Sequence, residues 1–408
     1  MKLITFGDVN FKLIYILIGG IAKLVAELIL YFFADKIKMN NYPFVMGINA
    51  GFGMTLAFIP DMILKFKLNN RLTKNDEKLL LNNYEFKERN KSIFTKHQLK
   101  MIIIVVCCIL DYIQKILTFF YSQYILNNLW IFDIVFLGAF SWLILRLKLY
   151  SHQYISCLFM IIFGIILNVI DFEYNISLIY KLLLTFLIEI DYNLAIVIAK
   201  YAMNNLFMTP FEITCYEGIF GLVLNIMLLS ISTNVEEVNP PLLIKLAKSC
   251  EYKGKTYLDN FYSYWEGLDG TEILAFVVQM FSRALFNLFG HIIANEFTPS
   301  HVIFLLMIGE IFLAFKDSFD SKHIASLFII LVEIFMLLIF TEIIELNFWG
   351  LDYNTKKNIR ERERSVTALD SKSDDSGEIG DVRLKVIIEE EPGANTTSSE
   401  FSNSTIHN

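Results

Sequence analysis

The sequence predicts an all-α integral membrane protein of about ten transmembrane helices, arranged as two inverted five-helix repeats. Three observations carry that expectation. Of 408 residues, 55% are hydrophobic and 19% charged, whereas a soluble domain carries about a quarter charged residues. The apolar residues fall in blocks of roughly twenty, the helical length that crosses about 30 Å of hydrocarbon. Two segments five blocks apart, "ISCLFMIIFGI" at 155–165 and "IASLFIILVEI" at 324–334, align without a gap and share five of eleven residues.

The blocks read as spans over 11–34, 43–66, 100–122, 127–147, 152–171, 176–199, 210–232, 271–295, 301–316 and 323–345. The first is too long for a signal-peptide core and lacks an evident small-residue cleavage site, so it reads as a retained helix. Loop 67–99 is basic, with Lys67, Arg71, Lys74 and five further Lys or Arg residues. Arg146 and Lys148 lie between the fourth and fifth spans, and five basic residues at 356–364 follow the last. Ten spans put all of these on one face, which the positive-inside rule makes cytosolic together with both termini. Loop 233–270 then lies on the opposite face, where its charge is mixed. An odd number of spans per half inverts the second copy, so the repeats are 1–175 and 176–350. Carriers built this way bind their solute between the repeats. The remaining residues, 351–408, are charged, Ser/Thr-rich and nearly free of aromatics. They predict a disordered cytosolic tail, open to a protein partner.

Several classes are disfavoured. Four of the five cysteines lie in spans, and none belongs to a CxxC or His/Cys cluster, so free thiols and neither metal nor cofactor are expected. No HExxH, GxGD or HxxxxD pattern and no Ser/His/Asp arrangement stands out, which argues against an enzyme. The net charge of −7 is divided between two faces, and no nucleic-acid partner is expected. The bilayer and a small-molecule solute are the expected partners.

The informative residues are polar ones inside apolar spans. In "MTPFEITCYEGIFGLVLNIML" at 208–228, Thr209, Pro210 and Glu212 form T-P-x-E. This reads as a capping box with proline at the first helical position, which makes Glu212 structural. Glu217 lies roughly 7–8 Å deeper and about 140° around the helix, where it can neither cap nor easily reach water. It requires a cationic partner or a wet cavity. Gly218 and Gly221 beside it would let another helix approach closely.

In the eighth span Gln279, Arg283, Asn287, His291 and Asn295 recur every four residues, on one drifting stripe. The guanidinium fork of Arg283 suits a carboxylate or phosphate on a solute, or equally Glu217 or Glu310. Lys23 and Glu27 are four apart, as are Asp111 and Lys115, so each pair either neutralises itself or faces a cavity. Asp133 and Glu310 have no same-helix partner at that spacing and would bind a proton, a cationic group or Arg283. Glu189 and Asp191 lie mid-span in the sixth helix, close to Asn193. The candidate solute-cavity residues are therefore Gln279, Arg283, Asn287, His291, Glu217, Glu310, Asp133, Lys23 and Glu27. Thr209, Pro210, Glu212, Gly218 and Gly221 are candidate structural residues.

The stretch "NNLFMTPFEITCYEGIFGLVL", with its EGxFG pattern of Glu217, Gly218, Phe220 and Gly221, resembles a known family. It looks like the opening of the seventh helix in solute-carrier family 35 proteins of the subfamily F member-6-like type. These belong to the drug/metabolite transporter superfamily, which includes the nucleotide-sugar transporters. The sixth span, "LLLTFLIEIDYNLAIVIAKY", and the fourth and fifth are similar too. The resemblance implies ten helices in two inverted repeats and a eukaryotic endomembrane location in Golgi, ER or lysosome. The leading expectation is a transporter that moves a small polar metabolite by alternating access, nucleotide-sugar-like and anionic if Arg283 meets it. The alternative is a non-transporting membrane scaffold or regulator that keeps the same fold.

Overall fold

Regular backbone hydrogen bonding dominates a computed structural model of the chain, which describes residues 4–6, 14–33, 42–63, 96–121, 132–147, 149–171, 177–234, 250–252, 255–257, 259–266, 268–307 and 321–346. The chain divides into one unit, Met1–Lys356, and a second, Lys357–Asn408. The second unit lies outside the described residues, as do the start of the predicted tail, Glu310 and most of loop 67–99.

The helices are α1 (Ile14–Phe33), α2 (Pro43–Thr55), α3 (Lys96–Tyr121), α4 (Asp133–Leu145), α5 (Ser151–Asp171), α6 (Ser177–Leu206), α7 (Pro210–Asn234), α8 (Phe261–Trp265), α9 (Gly270–Glu296) and α10 (Ser321–Phe340). After a turn, α2 continues as helix to Ile63. A short 3-10 turn, Pro299–Val302, leads into helical residues 303–307, the described part of the predicted ninth span. Five stretches are long and apolar enough to cross a bilayer: Pro43–Ile63, Gln98–Thr118, Leu182–Leu206, Pro210–Asn234 and Gly270–Glu296. A helix satisfies its own backbone hydrogen bonds, which hydrocarbon cannot do for it. Leu143, Leu183, Leu274 and Phe328 are each more than 60% exposed, and many other large apolar side chains are bare. Such a surface is stable against lipid and not against water. The protein is a helical membrane protein.

Short strands tie the ends. β1 (Ile4–Phe6) pairs antiparallel with β4 (Ile344–Leu346), and β2 (Cys250–Tyr252) with β3 (Lys255–Tyr257). Because β1 precedes α1 and β4 follows α10, the start of α1 and the end of α10 lie at the same end of the bundle. Near that end, Gln153 on α5 donates to the carbonyl of Phe340 at 3.2 Å, joining α5 to α10.

α9 is the hub, packed on α1, α2, α6 and α7, while α2 lies along α7, α3 on α6 and α5 on α10. Glycines set the tightest of these contacts. A Cβ on Gly218 would lie 2.6 Å from the Thr55 amide nitrogen, and one on Gly51 would lie 2.9 Å from that of Leu222. A Cβ on Gly53 would lie 2.6 Å from the Met280 carbonyl of α9. Backbone atoms cannot yield, so only glycine permits this approach. Gly221 corrects the sequence reading: nothing lies within 4 Å of where its Cβ would be, and Gly218 alone of the two serves the contact.

Two ends are held by side chains from elsewhere in the chain. Tyr42, the N-cap of α2, makes no side-chain capping bond. Instead Asp259 Oδ2 accepts from the amides of Phe44 (2.6 Å) and Val45 (3.1 Å), supplying negative charge to the positive end of α2. Burial pushes the Asp259 carboxyl up to about 7, against the opposing pull of those amides. The Tyr42 hydroxyl meets that of Ser263 at 2.6 Å, so segment 259–266 clasps this end of the bundle. At the start of α7, Thr209 Oγ1 accepts from the Glu212 amide at 3.0 Å and donates to Asp61 at 2.8 Å. The predicted capping box is half formed. The Glu212 carboxylate reaches Lys100 on α3 at 2.7 Å, where a full charge repays it better than a second amide would.

The glycine contact makes a paired prediction. Gly218→Leu should destabilise the purified protein by about 1–3 kcal/mol through overpacking. Gly221→Leu should leave thermal melting nearly unchanged. Equal melting shifts for the two would refute the assignment.

Candidate functional site

The polar stripe of α9 does not act as a unit. Successive members are offset by about 40° around the axis, so Gln279 and Asn295 point about 160° apart. The stripe therefore meets three different neighbourhoods.

At one end, Gln279 is buried and its amide, with the oxygen turned toward Arg283, accepts from Arg283 Nε at 2.8 Å and Nη2 at 3.2 Å. Glu27 on α1 acts electrostatically on the same guanidinium. Lys23 is paired with Glu27 at 2.5 Å and stands 5.4 Å from the centre of the Phe286 ring. Lys23, Glu27, Gln279 and Arg283 thus form an ionic seam between α1 and α9. At the other end Lys200, buried on α6, donates to the Asn295 carbonyl at 2.5 Å and satisfies a C-terminal carbonyl of α9.

Between these, Asn287 and His291 face a narrow crevice with a cavity volume of about 30 Å³, lined also by Asp111 and Gln114 of α3, Tyr192 of α6 and Glu217 of α7. His291 Nε2 lies 2.9 Å from Glu217 Oε2, and both side chains are buried. The partner that Glu217 requires is therefore this imidazole. Asp111 holds Lys115 at 2.7 Å, the same-helix pair expected from spacing, but its carboxylate also faces the crevice. Met54, fully buried on α2, links the set: its sulfur accepts from Lys115 at 2.8 Å and from Asn287 at 3.4 Å. Ala195, Ile196, Phe286 and Val302 supply the apolar part of the wall.

Of the nine candidate cavity residues, the structure brings Glu217, Asn287 and His291 to the crevice. Gln279, Arg283, Lys23 and Glu27 lie in the seam outside its lining. Asp133 lies elsewhere, buried between α4 and α6, where its Oδ1 accepts from Asn193 Nδ2 at 2.7 Å. Sequence reasoning did not place Gln114, Tyr192 or Met54. Gln114 is three residues from Asp111 and shares its helix face, a signal that was legible; Tyr192 and Met54 carried none. Among the described residues no group of three or more His, Cys, Asp or Glu side chains is placed to hold a metal.

Compared with models of known protein families and with curated proteins, the chain matches none.

The Glu217–His291 contact is testable by a double-mutant cycle. Either single change to alanine leaves a buried polar group orphaned and should cost about 1–3 kcal/mol. The double variant should cost less than the sum, with a coupling on the order of 1 kcal/mol. Strict additivity in unfolding measurements would show that the two side chains do not interact.

Proposed function

We propose that the protein is a secondary transporter of the drug/metabolite transporter type, moving a small polar solute through the crevice between α3, α6, α7 and α9. The observation that carries this reading is the crevice itself: ionisable and amide side chains from four helices converge at membrane depth, in a chain otherwise covered with bare apolar residues. Polar groups so placed are expensive, and binding a solute is a common reason to keep them.

The packing pattern supports the inverted-repeat architecture. Numbering the spans in chain order, a two-fold exchange swaps the first with the sixth, the second with the seventh, the third with the eighth and the fifth with the tenth. Under that exchange the α1–α9 contact maps onto α3–α6, and α2–α9 onto α3–α7, while α2–α7 and α5–α10 map onto themselves. All six contacts are present. The similar segments at 155–165 and 324–334 lie in α5 and α10, which pack on each other as equivalent helices should. The joining of β1 to β4 favours an even number of crossings. The crevice takes wall from both halves, as an alternating-access site must.

The lining alters the expected solute. Arg283, the motive for an anionic substrate, stands outside the crevice, whereas Glu217 and Asp111 present carboxylates inside it. A neutral polar or cationic metabolite suits this lining better than a sugar phosphate. We retain the resemblance to the solute-carrier family for the fold and an endomembrane location as its corollary.

A ligand-induced thermal-shift screen over nucleotides, nucleotide sugars, organic cations and organic anions should identify a stabilising solute, because a ligand of the folded form raises its melting point by mass action. Uptake of that solute into proteoliposomes should fall at least about tenfold in Asn287→Ala or Glu217→Gln, the loss of roughly one buried hydrogen bond. Wild-type uptake by both variants would refute the site. A tight complex with another protein and no solute in any class would favour the scaffold alternative.

A further inference from the structure

Segment 259–266 lies between the apolar spans Pro210–Asn234 and Gly270–Glu296 and is tied to the elements around it. Ser232, near the end of α7, accepts from the Asp259 amide at 2.7 Å and donates to the Asp259 carbonyl at 2.6 Å. The Asn260 side chain caps α8 by accepting from the Ser263 amide at 3.0 Å. These contacts fix the position from which Asp259 reaches α2. Pro43 has no amide hydrogen, so Phe44 and Val45 carry the orphan donors of the first turn of α2, and both go to Asp259 Oδ2. The other carboxyl oxygen, Oδ1, has no hydrogen-bond partner, and the residue has no exposed surface.

The surroundings offer this carboxyl no counter-charge. Burial and the amides of Phe44, Val45 and Asn260 act on it, and among the described residues no cation joins them. The titratable side chains nearby are Tyr42 at the head of α2, Tyr264 of α8 and Glu272 of α9, and Tyr264 responds electrostatically to Asp259 and to the other two. A buried carboxylate with one oxygen unsolvated and no cation in reach is costly. The neutral acid avoids that cost. It keeps Oδ2 as the acceptor for both amides and carries its proton on Oδ1.

We propose that Asp259 Oδ1 is a proton-binding site outside the membrane spans, and that its proton keeps segment 259–266 closed on the start of α2. On release, the Oδ1–H bond breaks, the proton passes to water, and the carboxylate gains more from hydration than from two amides, so the segment lifts from α2. Opening frees the first turn of the helix that meets α7 at Gly218 and α9 at Gly53, which links proton occupancy to the framework of the bundle. The sign follows from the two states. Closed, the carboxyl is held at about 7; open and hydrated, it returns to the ordinary aspartate value of about 4. Closure is therefore firmest in acid, weakens as pH rises between those values, and is constant above them. The assignment does not require the transport reading.

Hydrogen–deuterium exchange of the full chain in lipid nanodiscs tests this, because it reads the Phe44 and Val45 amides themselves. Exchange of peptides covering residues 42–46 is followed by mass spectrometry and corrected for the intrinsic effect of pH. Wild-type protection should fall between about pH 5 and 7, by up to about tenfold per pH unit, the limit for one proton, and level off above. The neutral, near-isosteric Asp259→Asn should remove that slope, and Glu272→Gln should keep it. Wild-type protection that is flat or rises over this range overturns the proposal, whether or not any variant folds. So does a slope that persists in a folded Asp259→Asn or disappears in a folded Glu272→Gln. No solute enters the measurement, so failed uptake would remove the carrier and leave the proton site standing.

Discussion

A carboxylate in the middle of a membrane bundle must meet a partner on another helix, and this fold is arranged around that requirement. Glu217 sits one residue from Gly218, the point where α7 comes so near α2 that a methyl group would strike the Thr55 amide. The position of α7 is thus fixed by backbone contact. α9 is fixed against the same helix by Gly53. With both held to α2, His291 and Glu217 have no freedom but to face each other at 2.9 Å. Close packing and polar chemistry are a single constraint: loosening the glycine contact would let lipid-exposed helices drift and leave buried charge without its partner.

Much of the fold was legible because hydropathy and capping are local. Spans expected at 210–232 and 271–295 appear as Pro210–Asn234 and Gly270–Glu296, one opened by proline and the other by an Asp269–Glu272 capping box. Pairing across helices was far less legible. The spacing of the α9 stripe gave its face correctly but not its neighbours, because a face that drifts by about 160° over its length cannot look at one cavity. Arg283 is the instructive case: its cost in lipid demands partners, and the seam supplies Gln279 and Glu27, neither of which local spacing singles out from the other candidates. Asp259 caps α2 from more than two hundred residues away, and no local pattern announces such a cap.

Two sets of buried polar side chains stand apart in the bundle. One set, at the crevice, is the lining through which the proposed transport reading would recognise a solute by hydrogen bonds and charge. Another, Asp133 with Asn193 between α4 and α6, lies outside that lining. Tyr192 stands between the two and is within electrostatic reach of both. Structural pairs such as Lys100–Glu212 and Lys200–Asn295 occupy the helix ends, where water is near and a fixed contact costs least.

The central claim is that the interior of the bundle is wet where its polar side chains converge. Thiol accessibility measures this directly. In a background with the native cysteines replaced by serine, cysteine placed at Asn287 should react with a membrane-impermeant thiol reagent in intact membranes, while cysteine at Leu274, on the bare apolar face of the same helix, should not. Protection of the Asn287 position, to the same degree as the lipid-facing one, would show a dry helix contact and contradict the account.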